Sequence, residues 1–321
     1  MKHVVTFGEL LLRLSPPGEE KLFESGGLVT FFGGAEANVA VGLSHLGVRC
    51  EYVTRVPENP IGEGGVAALE REGVGTAWIL RGGERLGIYF AEPGSDLRAM
   101  RVVYDRAGSA FAHIDPRALD WPTILAEAEW FHASGITAAL GDGPATALAT
   151  AMTCARARGI PVSFDLNYRE ALWRGRDPRP LIEPLVRQAS VLIGNAAAAD
   201  AMLSITSDDG ALAQQLADRF GAGRVAITRR EILGAREHGW SALLYDAATR
   251  SQVASRRHRV QVVDRVGGGD SFAAALIAKL LGGDAPADAL EFAVAASALK
   301  LTVPGDFSRA SAAQVAELLH L

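Results

Sequence analysis

The sequence predicts an α/β protein, a mostly parallel sheet covered by helices on both faces, with a small separate sheet beside it. Three observations carry that reading. Short β-branched runs alternate with helical stretches at both ends of the chain, the pattern of a parallel sheet with crossover helices. Between residues 86 and 104, two strand-like runs follow each other with no helical pattern between them. The composition, 49% hydrophobic and 21% charged over 321 residues, is that of a globular chain and excludes disorder, collagen-like repeats and coiled coil. A chain of this length buries roughly three quarters of its unfolded surface. It fits one large domain with an appendage, or two domains.

The elements follow in order. His3–Phe7 is a short apolar run ending at Gly8 and reads as a buried strand. Gly33 and Gly34 open a helix over Ala35–Leu46, where Val39, Leu43 and Leu46 recur at helical spacing and Gly47 closes it. Cys50–Val56 is a second strand and Gly64–Glu72 a second helix. Leu86–Glu92 and Met100–Tyr104 form an antiparallel pair around the turn cluster Pro93-Gly94-Ser95-Asp96. With Leu10–Leu14 and Leu28–Phe32 they make up the small sheet. Alternation resumes with strands Trp130–Ala133, Val162–Asp165, Val191–Ile193 and Val225–Thr228. Helices Pro144–Arg158 and Asp208–Phe220 lie among them. Asp270–Leu281, Ala287–Lys300 and Ser311–Leu319 are helices, the last capped by Ser308 or Ser311.

Several function classes drop out. The net charge is −5 with a pI near 5.8, and no basic stripe is visible, so nucleic acid is not expected as the main partner. No stretch is long and apolar enough to span a bilayer, and no secretory leader is visible at the start. Cys50 and Cys154 lie far apart with no CxxC, so a reduced, cytoplasmic protein is expected. Only four of the 32 basic residues are lysines, Lys2, Lys21, Lys279 and Lys300. None follows a glycine-rich loop as a Walker phosphate loop requires, and no zinc-type spacing occurs among the histidines.

The strongest chemical signal is Asp264-Arg265-Val266-Gly267-Gly268-Gly269-Asp270-Ser271-Phe272, where a strand-like segment meets a helix. Three glycines let the backbone turn sharply, and the free N–H groups and positive dipole end of the helix face the same spot. That arrangement suits phosphate. Asp270 stands where a carboxylate can take a proton from an attacking hydroxyl. A capping Asp after a flexible turn is the plain alternative.

DRVGGGDSF resembles one signature of the ribokinase-like (PfkB) carbohydrate kinases. Phe32-Gly33-Gly34-Ala35-Glu36-Ala37-Asn38-Val39-Ala40 resembles the other, in the right order along the chain. The resemblance covers essentially all of residues 1–321. It implies a ribokinase-like, Rossmann-type three-layer sandwich with a small β-sheet lid, built from insertions at about 10–33 and 78–108. It also implies transfer of the γ-phosphoryl of ATP to a sugar hydroxyl with Mg²⁺. Asp270 is then the base, and Gly267, Gly268 and Gly269 form the anion hole. Gly33, Gly34 and Asn38 lie at the sugar. Asn195, Thr228, Arg229 and Asp264 lie at the nucleotide.

The segments VYDRAGSA (103–110), HASGIT (132–137) and VSFDLNYREALW (162–173) resemble 2-keto-3-deoxygluconate kinases. That resemblance implies contacts of Tyr89, Arg106 and Arg169 with an acid sugar. Arginine suits a carboxylate, which its planar fork pairs bidentately. Arg13 is a weaker hint in the same direction. Sheet packing for Tyr89 and solvated surface for the arginines are the plain alternatives. The tail Val303–Phe307 resembles a segment near the adenine pocket, or is a turn between two helices.

Two positions depart from the family pattern. Asn195 keeps the first residue of its N-x-x-E motif, but Ala198 stands where the Glu that organises Mg²⁺ belongs, so the metal site is undefined. Arg229 replaces the first glycine of T-x-G-x-x-G. The leading expectation is an ATP-dependent kinase making 2-keto-3-deoxy-6-phosphogluconate, self-associating as a homo-oligomer through its lid. The alternatives are a kinase for a neutral sugar such as fructose or ribose, or for a nucleoside, and a non-catalytic sensor derived from a kinase. A dinucleotide-dependent dehydrogenase is disfavoured, because no GxGxxG follows the first strand.

Overall fold

The computed structural model describes residues 2–320 apart from 25, 95–97, 99 and 235. The chain begins β1 (His3–Phe7), β2 (Leu11–Ser15), β3 (Val29–Gly33), α1 (Ala35–His45), β4 (Arg49–Val56), α2 (Pro60–Arg71), β5 (Ile79–Arg81), β6 (Gly87–Glu92) and β7 (Arg101–Asp105). The middle runs α3 (Trp121–Ile124), β8 (Trp130–Ser134), α4 (Gly135–Ala139), α5 (Asp142–Ala157), β9 (Val162–Asp165), α6 (Glu170–Trp173), α7 (Arg179–Val186), β10 (Val191–Gly194), α8 (Ala196–Leu203) and α9 (Asp209–Phe220). The last part is β11 (Arg224–Ile232), β12 (Glu237–Asp246), β13 (Ser251–Ala254), β14 (His258–Gln261), α10 (Gly268–Gly282), α11 (Pro286–Leu301) and α12 (Ala312–Leu319).

The large sheet has the order β13-β12-β11-β10-β9-β8-β1-β4-β5, with β14 also pairing β12. From β11 to β5 every neighbouring pair is parallel. β12, β13 and β14 close one end antiparallel. Two apolar clusters cover the faces. One centres on Phe7, Trp121, Phe131, Phe164 and Leu216. The other centres on Tyr52, Phe272, Leu276 and Val294. Strands such as β1 and β8 are buried at every residue, as a sheet covered on both sides requires.

The small sheet has the order β3-β2-β6-β7. β6 and β7 pair antiparallel, as expected. Ser95 and Asp96 of the turn cluster between them lie outside the described residues. β2 joins β6 in parallel, which places Arg13 opposite Tyr89, itself opposite Tyr104. β5 lies within the span expected for the lid, yet it pairs with β4 in the large sheet. The second excursion therefore leaves the body after Arg81. Lid residues Val29, Val102 and Val103 are exposed.

Ser311 caps α12 through a full capping box with Gln314. Asp208 caps α9 by accepting from Ala211 N–H. The antiparallel end β12–β14 was not expected from the sequence, and β11 runs four residues beyond the expected Thr228. Among the described residues, no helix is long and apolar enough to cross a membrane.

Candidate active site

A cavity of about 620 Å³ opens where the carboxyl ends of β9, β10 and β11 meet the starts of α1 and α10, under the lid strands β6 and β7. Ligands of open α/β sheets bind outside the carboxyl ends of the strands. Of the residues expected at a site, Gly34, Asn38, Tyr89, Arg106, Arg169, Asn195, Thr228, Gly267, Gly269 and Asp270 line it, and Ala198 does too. Gly33, Gly268, Arg229 and Asp264 do not.

Asp270 stands in the first turn of α10, whose N-cap is Gly267. Gly267 has φ +82°, and a Cβ there would run into the backbone carbonyl of Asp306. Gly268 packs inward against Leu301, and its carbonyl accepts from Ser297 Oγ at 2.6 Å. Gly269 faces open space. The free N–H groups of this first turn and the helix dipole give the floor of the cavity donors suited to an anion. Asn38 Nδ2 donates to Asp270 Oδ2 at 2.7 Å, so Asn38 orients the carboxylate. Burial pushes Asp270 up to about 7, while Asn38 and Arg169 pull the other way. Asp165, at the end of β9, is also pushed up to about 7, by burial and by the charge of Asp270. Glu36, fully buried, accepts from Ser134 Oγ at 2.6 Å and Thr137 Oγ1 at 2.9 Å, and burial raises it.

The lid side is a set of matched charges. Arg106 donates to Glu9 through Nε at 2.7 Å and through Nη2, and Ser109 also donates to Glu9. Both partners are buried. Glu9 lies where the chain enters the lid and Arg106 where it leaves, so the pair ties the two crossings together. Arg13 is neither solvent-facing nor at the cavity. It pairs with Asp264 at 2.7 Å and Asp306 at 3.1 Å, with an exposure of 4%. Tyr89 donates to Asp306 and stacks at 5.6 Å on Tyr104. Gly33 and Gly34 approach protein closely. A Cβ at Gly33 would run into Asp306, and one at Gly34 into the Glu9 carbonyl. Asp264, expected at the nucleotide, shapes the loop instead, accepting from Val266 N–H and Gly305 N–H, each at 3.0 Å. Behind it lies Lys300, 1% exposed, donating to the Val303 carbonyl at 3.2 Å. Burial pushes its ammonium down while Asp264 and Asp306 hold it up.

The opposite side is different. Asn195 caps α8 by accepting from Ala198 N–H at 2.9 Å. Thr228 Oγ1 donates to the Gly194 carbonyl at 3.2 Å. Arg229 points away from the cavity and pairs with Asp209. Strand alternation explains this: Thr228 and Arg230 share the cavity face, and Arg229 lies on the other. Arg230 and Arg265 both line the cavity. Sequence reading missed them, although the two-residue period of β11 and the place of Arg265 beside the glycines were signals.

Among the described residues, no group of three or more His, Cys, Asp or Glu could hold a metal ion. Mg²⁺ needs only one or two carboxylates when substrate phosphates and water complete its shell. Asp165 fits that part, since it is an acid that lines the cavity at the carboxyl end of β9, close enough to Asp270 to feel its charge.

Fold and site together define an α/β protein with a helix N-terminus open to an anion beside a buried carboxylate, under a β-sheet lid. Residues 1–312 match the pfkB family of carbohydrate kinases, and the chain belongs to that family. It is 33% identical over 319 residues to a 2-dehydro-3-deoxygalactonokinase of Haloferax volcanii, covering 99% of this chain and 96% of that one. It is 28% identical to a 2-dehydro-3-deoxygluconokinase of Thermoproteus tenax, covering 95% and 90%. The crystal structure of the 2-dehydro-3-deoxygluconokinase of Thermotoga maritima superposes with a TM-score of 0.96 at 39% identity, covering 100% of this chain and 98% of that one.

Proposed function

We propose that the protein uses ATP to phosphorylate 2-keto-3-deoxygluconate, giving 2-keto-3-deoxy-6-phosphogluconate. The observation that carries the acid-sugar reading is Arg169. It lines the cavity near Asp270 and has no ion-pair partner among the described residues. A guanidinium left open at a sugar site suits a substrate carboxylate. Arg106 contributes less charge to the substrate, because Glu9 already matches it. Its guanidinium lies 5.4 Å over the Tyr104 ring, so it also shapes the sugar end. The names of the three relatives given above, kinases of 2-dehydro-3-deoxy sugar acids, support the same class.

In this reading Asp270, steadied by Asn38, takes the proton of the attacking hydroxyl. The hydroxyl oxygen forms a bond to the γ-phosphorus, and the bond to the β,γ-bridging oxygen breaks with its electron pair leaving on ADP. The N–H groups at Gly267–Gly269 hold the transferring phosphoryl. Such a reaction needs mainly positioning and charge stabilisation. Mg²⁺ would supply further charge neutralisation on the phosphates, with Asp165 as the carboxylate to hold it.

The test is coupled ADP release with Mg-ATP across 2-keto-3-deoxygluconate, its galacto epimer, fructose, ribose and a nucleoside, for the parent and Arg169→Ala. We expect turnover on the sugar acids and a rise of about tenfold or more in their KM in the variant. Turnover only on a neutral sugar would discard the acid-sugar site while keeping the base. Self-association through the lid rests on its exposed valines and on the open edges of β3 and β7. Monomeric elution at micromolar concentration would count against it.

A further inference from the structure

We propose that Arg230 and Arg265 form a two-arginine clamp for the terminal phosphates of the nucleotide. The inference rests on the kinase reading above and names residues that do the gripping.

The two side chains reach the same wall of the cavity from different elements. Arg230 comes from the outer end of β11, past Thr228 on the same face of the strand. Arg265 comes from the loop that leads into Gly267 and the first turn of α10. A phosphoryl held at Gly267 and Gly269 therefore has a guanidinium close by in sequence on one side. The second guanidinium stands on β11.

Neither arginine has an internal counter-ion. Among the described residues, neither makes an ion pair or a side-chain hydrogen bond. Arg13, Arg106 and Arg229, by contrast, each hold a carboxylate. The nearby wall is Asn195, Ala197, Ala198 and Thr228, with no acid among them. The two cations instead press on each other: burial lowers the Arg265 guanidinium and Arg230 lowers it further, with the charge of Asp264 offsetting part of this. His238, buried on β12 beside them, is pushed down by its burial and by both arginines, and its Nδ1 has no partner. Trp240 stands opposite Arg230 in the strand register and lines the same cavity. Its indole N–H is buried without an acceptor.

Donors and positive charge thus gather on one wall with no carboxylate ion-paired to either arginine among the described residues. Holding two like charges together is unfavourable until an anion arrives, and a multivalent anion repays both at once. A monocarboxylate would match one guanidinium. Adjacent phosphates of a polyphosphate chain match two forks, each capable of bidentate bonding. The position beside the helix N-terminus places those phosphates next to the one being transferred.

The experiment compares the parent with Arg230→Ala, Arg265→Ala, the double variant, and Arg230→Lys with Arg265→Lys. Two readouts are taken: KM for Mg-ATP and for the sugar acid in the ADP-release assay, and the thermal shift given by inorganic tripolyphosphate alone. We expect KM for ATP to rise about tenfold or more in each alanine variant, and further in the double. The sugar-acid KM should stay within about twofold, and the tripolyphosphate shift should vanish. The lysine variants, which keep charge but lose the fork, should fall between. ATP KM within about twofold of the parent in the double variant, or a rise confined to the sugar-acid KM, overturns the clamp. If alanine variants do not fold, the lysine variants and the parent's own tripolyphosphate shift decide, and a parent that shows no shift overturns it. A parent that turns over no sugar yet shows the shift, lost in the variants, would sink the kinase reading and leave the clamp standing.

Discussion

The two sides of the cavity differ in how their charges are settled. On the lid side, Arg13, Arg106, Glu9, Asp264 and Asp306 are buried and paired within the protein. On the β11 side, Arg230 and Arg265 face the cavity unpaired among the described residues. A buried pair holds two chain segments in fixed relation, and removing one partner strands the other. An open cation keeps its interaction for a ligand. The contrast separates residues that build the site from residues that use it, although both sets are arginine.

Asp270 lies between the two sides, and its loss should have the largest effect. Asp270→Asn should lower kcat by about 10²–10⁴-fold, with tripolyphosphate binding retained; kcat within about threefold of the parent would remove it as the base. The next effect should fall on folding. Glu9→Gln leaves the Arg106 guanidinium buried without its counter-ion, a change that costs about 3–5 kcal/mol. That should lower Tm on the order of 10 °C, whereas the same measurement on Arg230→Ala should show little change. Equal Tm losses in the two variants would erase the distinction between building and using.

The smallest effect concerns pH. Asp165 and Asp270 both sit near 7 in the folded protein, above the ordinary carboxylate value of 3.8. The folded state therefore keeps protons that the unfolded chain has already released. Stability accordingly falls as pH rises from about 4 to about 7. Asp165→Asn removes one of these acids and relieves its neighbour. Its Tm should exceed the parent's by more at pH 8 than at pH 5. A Tm gap independent of pH would show that the two carboxylates do not share a field.

Much of the body was legible because its signals are local. β1 and β9 were read to the residue: β1 is buried throughout and β9 at all but its last position, and short strands of this kind stand out between glycine and polar residues. The helix start at Gly268 was legible from the glycines before Asp270, but glycine-rich turns before helices are common, and only the second signature at Phe32–Ala40 singled this one out. The antiparallel end was not. Between β11 and β12 the sequence has a single glycine, Gly234, and the two strands carry Arg, Glu and His as well as apolar residues. The ion pairs were not legible either. Arg13 meets Asp306 across 293 positions and Arg106 meets Glu9 across 97. No periodicity reports such a meeting, so these arginines read as ligand contacts or solvated surface until the fold brings the acids to them.

The junction at Asp306 carries a consequence for how this sequence can vary. Its carboxylate takes Arg13 and Tyr89 from the lid, while its backbone carbonyl lies where only a glycine at 267 leaves room. Positions 13, 89, 264, 267 and 306 are therefore constrained as a set. A relative that swaps Arg13 for a neutral residue must shed an acid at 264 or 306 in compensation, and substitution patterns at the lid and at the phosphate floor should be inherited together.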